Sequence, residues 1–452
     1  MPAAWRAVLI KCFPMATKPA VNSISTGIAV RTLTVLVLVN IVNFYDRHVA
    51  AALAEPLRHE FGLTDAQIGL ISTVFTILYA IVGIPIGRLA DSGSRKKLLA
   101  AGIVVWGCVT GLAAWARSLS MLVASRLGLA VGEAACAPVA TSWIGDLFPP
   151  NRRSRPLALF MLGVPVGGAL SFFFSGPIAQ RFGWRPAMLV AAIPALLLAP
   201  VVLRLPEPLR GASEDLPVGA ERLRKSSLLV PTFVWIIASG VLVNFNLYAL
   251  GTFLPAFFQR VHHLRVGPAG ISTGIVYAVG GVLGGVIGGG WGDRLVRRRP
   301  DGRMLLAAYA AAISAPLAYF GIRQGFGALA IAVPLLTAAY GLLNMYYGLV
   351  YASLQDIVAP AQRATAMAVY FLIMYLGGAS FGPVITGKLS DFMARRAAGA
   401  LPVTESVKAF GLQQAMQIVP VLAIGLAIVL WAGSRTIARD AQRQRAQASS
   451  AA

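Results

Sequence analysis

A carboxylate and a guanidinium held together away from water can do two kinds of chemistry. They can take up and release a proton as their surroundings change. They can also grip an anion through the planar fork of the arginine. Such groups stand in a row at Asp46, Arg47 and His48, inside the apolar stretch 33–53, LTVLVLVNIVNFYDRHVAAAL. A second pair, Arg126 and Glu133, interrupts another apolar run. An ionisable side chain at bilayer depth costs at least ~2.5–3.5 kcal/mol on insertion scales, so it normally faces a cavity or a partner. At roughly 100° per residue, Asn40, Asn43 and Arg47 share one narrow helix face, with Asp46 beside it. The function is to be sought where that face meets the rest of a bundle.

The elements that must position these groups are membrane helices. The chain has 452 residues, 57% of them hydrophobic and only 12% charged, with a mean hydropathy of +0.72. A soluble domain carries ~25% charged residues. The apolar runs are helical in length rather than ten-residue alternating barrel strands. The opening residues hold too short an apolar run for a signal peptide. Cys12, Cys108 and Cys136 show no metal spacing and imply no disulfide framework. Twelve spans are expected at roughly 30–53, 65–87, 98–116, 120–144, 156–179, 184–204, 230–256, 269–291, 303–322, 327–351, 364–387 and 410–433. Thr64 or Asp65 caps the second.

The net charge of +22 has two readings, nucleic-acid binding or membrane topology. The distribution favours topology. One alternate set of loops carries more than twice as many Lys and Arg as the other. The richer side is then cytoplasmic, with both termini inside and no nucleic-acid partner. The expected organisation is a cytoplasmic segment 1–29, a six-helix half 30–204, a polar linker 205–229, a second half 230–434 and a frayed cytoplasmic tail 435–452.

The two halves repeat. Gly87-Arg-Leu-Ala-Asp91-Ser-Gly-Ser-Arg95-Lys96 follows the second span, and Gly289-Gly-Trp-Gly-Asp293-Arg294-Leu-Val-Arg297-Arg298 follows the eighth. Asp146, Pro150 and Arg153 match Asp356, Pro360 and Arg363, and Gly167-Gly168-Ala169 matches Gly377-Gly378-Ala379. Registered matches at the same loop positions mark a duplicated unit. Parallel halves about an axis along the membrane normal give the major facilitator architecture. The loop motifs have a physical task. Glycines such as Gly87 and Gly289 let helix ends approach. Asp91, Asp146 and Asp293 can pair with Arg95, Arg153, Arg294 and Arg297 across the seam, closing the cytoplasmic side in one state only.

On these motifs the chain resembles the major facilitator superfamily over about 30–434. Ser92 and Ser94 depart from that family's loop signature, and Ala130 from its fourth-helix motif around Arg126-Leu-Gly-Leu-Ala-Val-Gly132-Glu133-Ala134. Within it the chain looks most like the spinster branch, through Asn43-Phe-Tyr-Asp46-Arg47, Gly132-Glu133-Ala134, Asp146-Leu-Phe, Arg153-Ser-Arg155 and Pro165-Val-Gly167. The resemblance implies proton-linked export or exchange of lipid-like molecules such as lysolipids or sphingoid phosphates. The organic-anion symporter branch shares the first-helix Asp-Arg and the fourth-helix Arg and Glu, and is the near rival.

Depth arithmetic brings the charged groups together. At 1.5 Å per residue, Asp46 and Arg126 lie at nearly the same depth, about 10 Å from the outer end, with Glu133 about 10 Å deeper. Asp46 is therefore expected to pair with Arg126. Asp46 and Glu133 are the expected proton sites, and Arg47 and Arg126 the expected anion holders. His48 points elsewhere and is read as a bystander. Tyr340, Asn344, Tyr347 and Tyr351 form a stripe on the tenth span, as do Asn244 and Tyr248 on the seventh and Ser72, Thr76 and Tyr79 on the second. Asn43, Asn244, Tyr248, Asn344 and Tyr347 are expected to line a cavity that suits an amphipathic substrate. The ladder Gly281, Gly285, Gly289 reads as close helix packing.

One motif misleads. Gly382-Pro-Val-Ile-Thr-Gly387-Lys388 fits a phosphate loop, but Leu389 replaces the Ser/Thr that binds magnesium, and no strand precedes it. No HExxH, zinc spacing or nucleophile triad occurs. No catalytic residue, metal or cofactor is assigned, which speaks against a membrane enzyme such as a lipid transferase. The expectation is a monomeric transporter of the inner membrane working by alternating access, with a small-molecule or lipid substrate, protons and membrane lipids as partners. Proton symport of a small organic anion, and a non-transporting receptor or sensor, are the alternatives.

Overall fold

The computed structural model describes residues 26–148, 154–209, 230–358 and 363–449, less the side chains of 91–92, 154, 293, 363–365 and 444–449. Twelve helices are long and apolar enough to cross a membrane. They are, from span 1 to span 12, Thr26–Ala52, Asp65–Ala90, Arg95–Ala113, Leu119–Leu147, Arg155–Phe182, Trp184–Leu203, Pro231–Arg260, Val266–Val296, Gly302–Arg323, Leu329–Asp356, Ala366–Ala398 and Glu405–Arg443. No strand occurs among the described residues. Large apolar side chains such as Leu112, Leu197 and Val421 stand more than half exposed on the rim. That surface suits lipid tails, and the chain is a multi-pass membrane protein.

Local signals set the helix starts. Thr64 caps span 2 through a capping box with Gln67, as its sequence position demands. Ser118 and Thr404 accept amides at the starts of spans 4 and 12. A short helix, Ala54–Phe61, follows span 1 and stops at Gly62, whose φ of 62° is left-handed. The tail departs from the sequence reading. Residues expected to fray continue as one helix, Ile418–Ser449. Asp440, 1% exposed, holds it by accepting from the amide and hydroxyl of Thr232 at the start of span 7. Of the expected linker, residues 210–229 lie outside the described residues.

Within each half small residues set the spacing. Gly132 of span 4 lies on the backbone of Gly102 and Trp106 of span 3, where a Cβ would meet main-chain atoms. Gly132→Val therefore overpacks that contact. We expect a stability loss of at least ~1–3 kcal/mol, read as a lower thermal midpoint in detergent. An unchanged midpoint would count against the packing described.

Spans 2 and 11 form one seam between the halves, and spans 5 and 8 the other. At one end both seams are tight. Gly69 lies against Pro383 and Gly387 against the main chain of Asp65, while Gly176 and Gly270 meet across the second seam. Thr73 donates to the Ser380 carbonyl at 2.5 Å. Asp391 of span 11 accepts the first two amides of span 2, from Asp65 and Ala66, at 3.0 and 2.9 Å. Toward the other end the same helix faces part. Gly83 and Gly87, on the face of span 2 that begins at Gly69, look onto open space, as do Gly285 and Gly289 of span 8. The first end is called the sealed end, the second the basic end, after its arginine-rich loops.

In this state Gly87 and Gly289 do not bring helix ends together, because the seams have already diverged there. In span 8, Gly280, Gly284 and Gly288 meet Thr337, Gly341 and Met345 of span 10; of the expected ladder, Gly281 packs closely on Pro165 of span 5, while Gly285 and Gly289 do not pack. A π-helical turn at Val276–Gly281 adds a residue to the turn and moves the register. Span 11 carries a second such turn, Tyr375–Ala379.

Candidate functional site

The charged groups of spans 1 and 4 do meet, with a different partnership from the one the depths suggested. Arg47, not Arg126, takes the Glu133 carboxylate. Its Nε and Nη2 donate to Glu133 Oε2 at 3.1 and 3.0 Å. Asp46 is wholly buried, and among the described residues neither of its oxygens has a hydrogen-bond partner. The expected Asp46–Arg126 pair is not formed. Equal depth fixes position along two helix axes but not the direction in which each side chain leaves its helix. Glu133 closes the helix Leu119–Glu133, just before span 4 is interrupted at Ala134 and Ala135. Two acids and two arginines, each at most 5% exposed by side chain or residue, thus form one buried quartet. Neither acid faces the lipid rim.

Arg47 links the quartet to the seam. Its guanidinium lies over the rings of Phe44, Phe75 and Tyr79, at 4.5, 5.0 and 4.5 Å. Nη1 is buried and without a partner among the described residues. Tyr79 meets Tyr375 of the other half edge-on at 5.7 Å, and Tyr375 meets Tyr248 at 6.2 Å. Tyr79 sits between the seam contact at Thr73 and the open face at Gly83. The site therefore lies where the halves begin to part.

The second half answers with tyrosine. Tyr347 donates to Asn244 Oδ1 at 3.0 Å, joining two of the expected lining residues. Tyr347, Tyr351 and Tyr370 continue as edge-on ring pairs, and Tyr370, Tyr346 and Ser239 share hydroxyl contacts at 2.9 and 2.8 Å. Asn344 turns back to its own Tyr340 carbonyl, and Thr76 to Ser72. The amide of Asn43 has no partner among the described residues. Sequence periodicity missed Tyr277, Tyr370 and Tyr375, which come from spans 8 and 11. His48 is no bystander to packing. Its Nδ1 lies 2.8 Å from the Phe44 carbonyl, and its ring meets Phe172 of its own half and, across the seam, Tyr277, both edge-on.

The gating residues separate into three groups. Arg95 is buried and pairs with Asp146, with Glu207 at 3.4 Å and with the Pro208 carbonyl at 2.6 Å. All lie before the second half, so in this state Arg95 fastens spans 3 and 4 to the chain after span 6 and does not reach across the seam. Burial pushes the Glu207 carboxyl up, but the Arg95 amide, the Ser94 hydroxyl, the Arg95 side chain and the Lys96 amide outweigh it and hold it below its ordinary value. The second half repeats the device with Arg303 on Asp356 at 2.8 Å. Arg294 and Arg297 are exposed. Arg153 and the side chains of Asp91 and Asp293 lie outside the described residues. The phosphate-loop lookalike is the interior of a helix, Phe381–Ala398.

Two six-span halves closing on a buried charged quartet define a secondary transporter rather than an enzyme. The chain belongs to the Major Facilitator Superfamily, whose model matches residues 36–383. Within it the chain is spinster-like. It is 32% identical over 366 residues to an MFS-type efflux pump of Mycolicibacterium smegmatis, covering 79% of this chain and 83% of that protein. It is 28% identical to Protein spinster of Drosophila melanogaster, covering 80% of this chain and 62% of the fly protein. Among solved structures, a bacterial homologue of the human lysosomal transporter spinster, in an inward-facing and occupied conformation, superposes with a TM-score of 0.81 at 26% identity. That likeness covers 92% of this chain and 99% of the other. A D-xylose–proton symporter shares the fold at a TM-score of 0.71 and 17% identity.

Proposed function

We propose that the chain is a proton-coupled transporter of the inner membrane that exports or exchanges an amphipathic, lipid-like molecule by alternating access. One observation carries the reading. Asp46 is buried without a hydrogen-bond partner among the described residues, beside the Arg47–Glu133 pair, at the depth where the halves part. A buried carboxylate with no partner is costly as an anion. Protonation removes that cost, and wetting the site makes the anion affordable again. A rocking motion that wets and dries Asp46 thus takes up and releases a proton, and Glu133 can follow when Arg47 is drawn away. Arg126 and Arg47 Nη1 hold the acidic group of the substrate, and the tyrosines hold its apolar part. Under the positive-inside rule the basic end faces the cytoplasm, so the described state opens inward, and the carrier works as a monomer.

The test is flux in proteoliposomes under an imposed pH gradient, with radiolabelled lysolipids compared against small organic acids. One pH unit is worth 1.36 kcal/mol per proton, or about tenfold accumulation. Gradient-driven movement of lysolipid at that scale supports the proposal. Accumulation of a small acid alone selects anion symport. Saturable binding without flux selects a receptor.

A further inference from the structure

The sealed end carries a charge cluster that the quartet does not use. Arg260, the last residue of span 7, is 7% exposed. Its Nε and Nη2 donate to Glu55 Oε1 at 2.9 and 2.5 Å, and its Nη1 and Nη2 donate to the two oxygens of Asp65 at 2.8 and 2.7 Å. Glu55 and Asp65 are 2% and 4% exposed, and both belong to the first half. Ser390 of span 11 adds a 2.6 Å bond to Asp65 Oδ2. Beside it, Arg58 pairs with Glu55 at 3.0 Å and with Glu405 at 2.6 Å.

We propose that Arg260 is the latch of the sealed end, one cation that holds two acids of the opposite half and so sets which way the carrier rests. The proposal rests on the alternating-access reading. Its physical core is an asymmetry. If the halves part, Arg58 keeps Glu55, because both sit on one short helix. All four Arg260 bonds cross the seam, so Arg260 loses every one of them. Closed, the cluster is balanced and desolvated; open, each ion is rehydrated. Removing one partner of a buried pair leaves an uncompensated charge, which penalises the buried state alone. Without Arg260, Glu55 and Asp65, which stay together in one half, repel each other most while the end is shut and dry, and opening screens them with water. A substitution that weighs on one state shifts the population by its differential energy.

The experiment measures state populations rather than transport. Spin labels are placed on cysteines at exposed positions 117 and 326, at the sealed ends of the two halves, and at 204 and 298 near the basic ends. Cys12 and Cys108 are replaced by serine and Cys136 by alanine. Distance distributions are recorded in nanodiscs at pH 5 and pH 8, with and without lysolipid. Arg260→Met should raise the ratio of sealed-end-open to sealed-end-closed protein by at least about tenfold, with the basic-end distance shortening in step. Asp391→Asn, which leaves Arg260 in place and weakens the bond to span 2, should shift it the same way by less. It also keeps the test alive should Arg260→Met fold poorly. A protein that switches with ligand or pH, but whose ratio neither substitution moves, overturns the latch. An unmodified protein that holds one distance at each end under every condition overturns alternating access and the latch with it.

Discussion

Asp46→Asn should abolish accumulation driven by a pH gradient while leaving the folded protein as stable as the parent or more so. The two halves of that expectation come from one fact. Asp46 has no hydrogen-bond partner among the described residues. Replacing its carboxyl by an amide of the same shape therefore breaks no hydrogen bond, and it removes the cost of burying a carboxylate that no donor satisfies. It also removes the proton site. The roughly tenfold accumulation per pH unit should fall to none, while exchange of labelled for unlabelled substrate persists. Glu133→Gln should uncouple the carrier too, at a different structural cost. Glu133 accepts two bonds from Arg47, and bonds to charged groups contribute ~1.5–3 kcal/mol. The thermal midpoint should drop accordingly. Undiminished gradient-driven accumulation in either variant would remove that residue from the mechanism.

The largest stability effect should come from Arg47→Ala. It strips Glu133 of its cation inside a site that is 0% exposed on the acid and 5% on the arginine. Breaking a buried pair from one side costs ~3–5 kcal/mol. Three ring faces lose their cation as well. The cost belongs to the stranded charge, so the second substitution should return part of it. Arg47→Ala with Glu133→Gln should recover at least ~1 kcal/mol over Arg47→Ala alone, within the range of coupling between touching residues. Arg47→Lys keeps the charge but not the fork, and should fall between. A double variant no more stable than Arg47→Ala would mean that the ring contacts, not the ion pair, hold the site together. Calorimetry or thermal unfolding in one detergent decides.

Much of this molecule could be read before its shape was known, and the parts that could not share a cause. Spans and halves follow from apolar length and from motifs such as Gly87 to Lys96, which are local signals. Asp46, Arg47, Arg126 and Glu133 stand out because charge at bilayer depth is costly wherever it falls. Partnership is not local. Arg47 and Arg126 lie on helices whose relative rotation no single-chain pattern records, and Glu133 chose the former. In the sequence Arg260 counts only as a loop cation and Asp65 only as a cap candidate, since their meeting joins positions about 200 residues apart. Arg95 has the residue type of a gate, yet in this state it binds Asp146 and Glu207, both before the second half. The glycine row expected in span 8 lies one residue off the row that meets span 10, because two rows with the same spacing of four stand side by side there and spacing alone does not separate them. Tyr277 and Tyr375 both sit on π-helical turns, where counting in steps of 3.6 breaks down.

Asp391 sits 326 positions from the first amide it accepts. Thr64 serves the third amide of that turn, so the start of span 2 is completed by two different bodies. If the halves separate at that face, two main-chain donors of one helix's first turn pass from a carboxylate to water, while the Thr64 cap stays with its own helix.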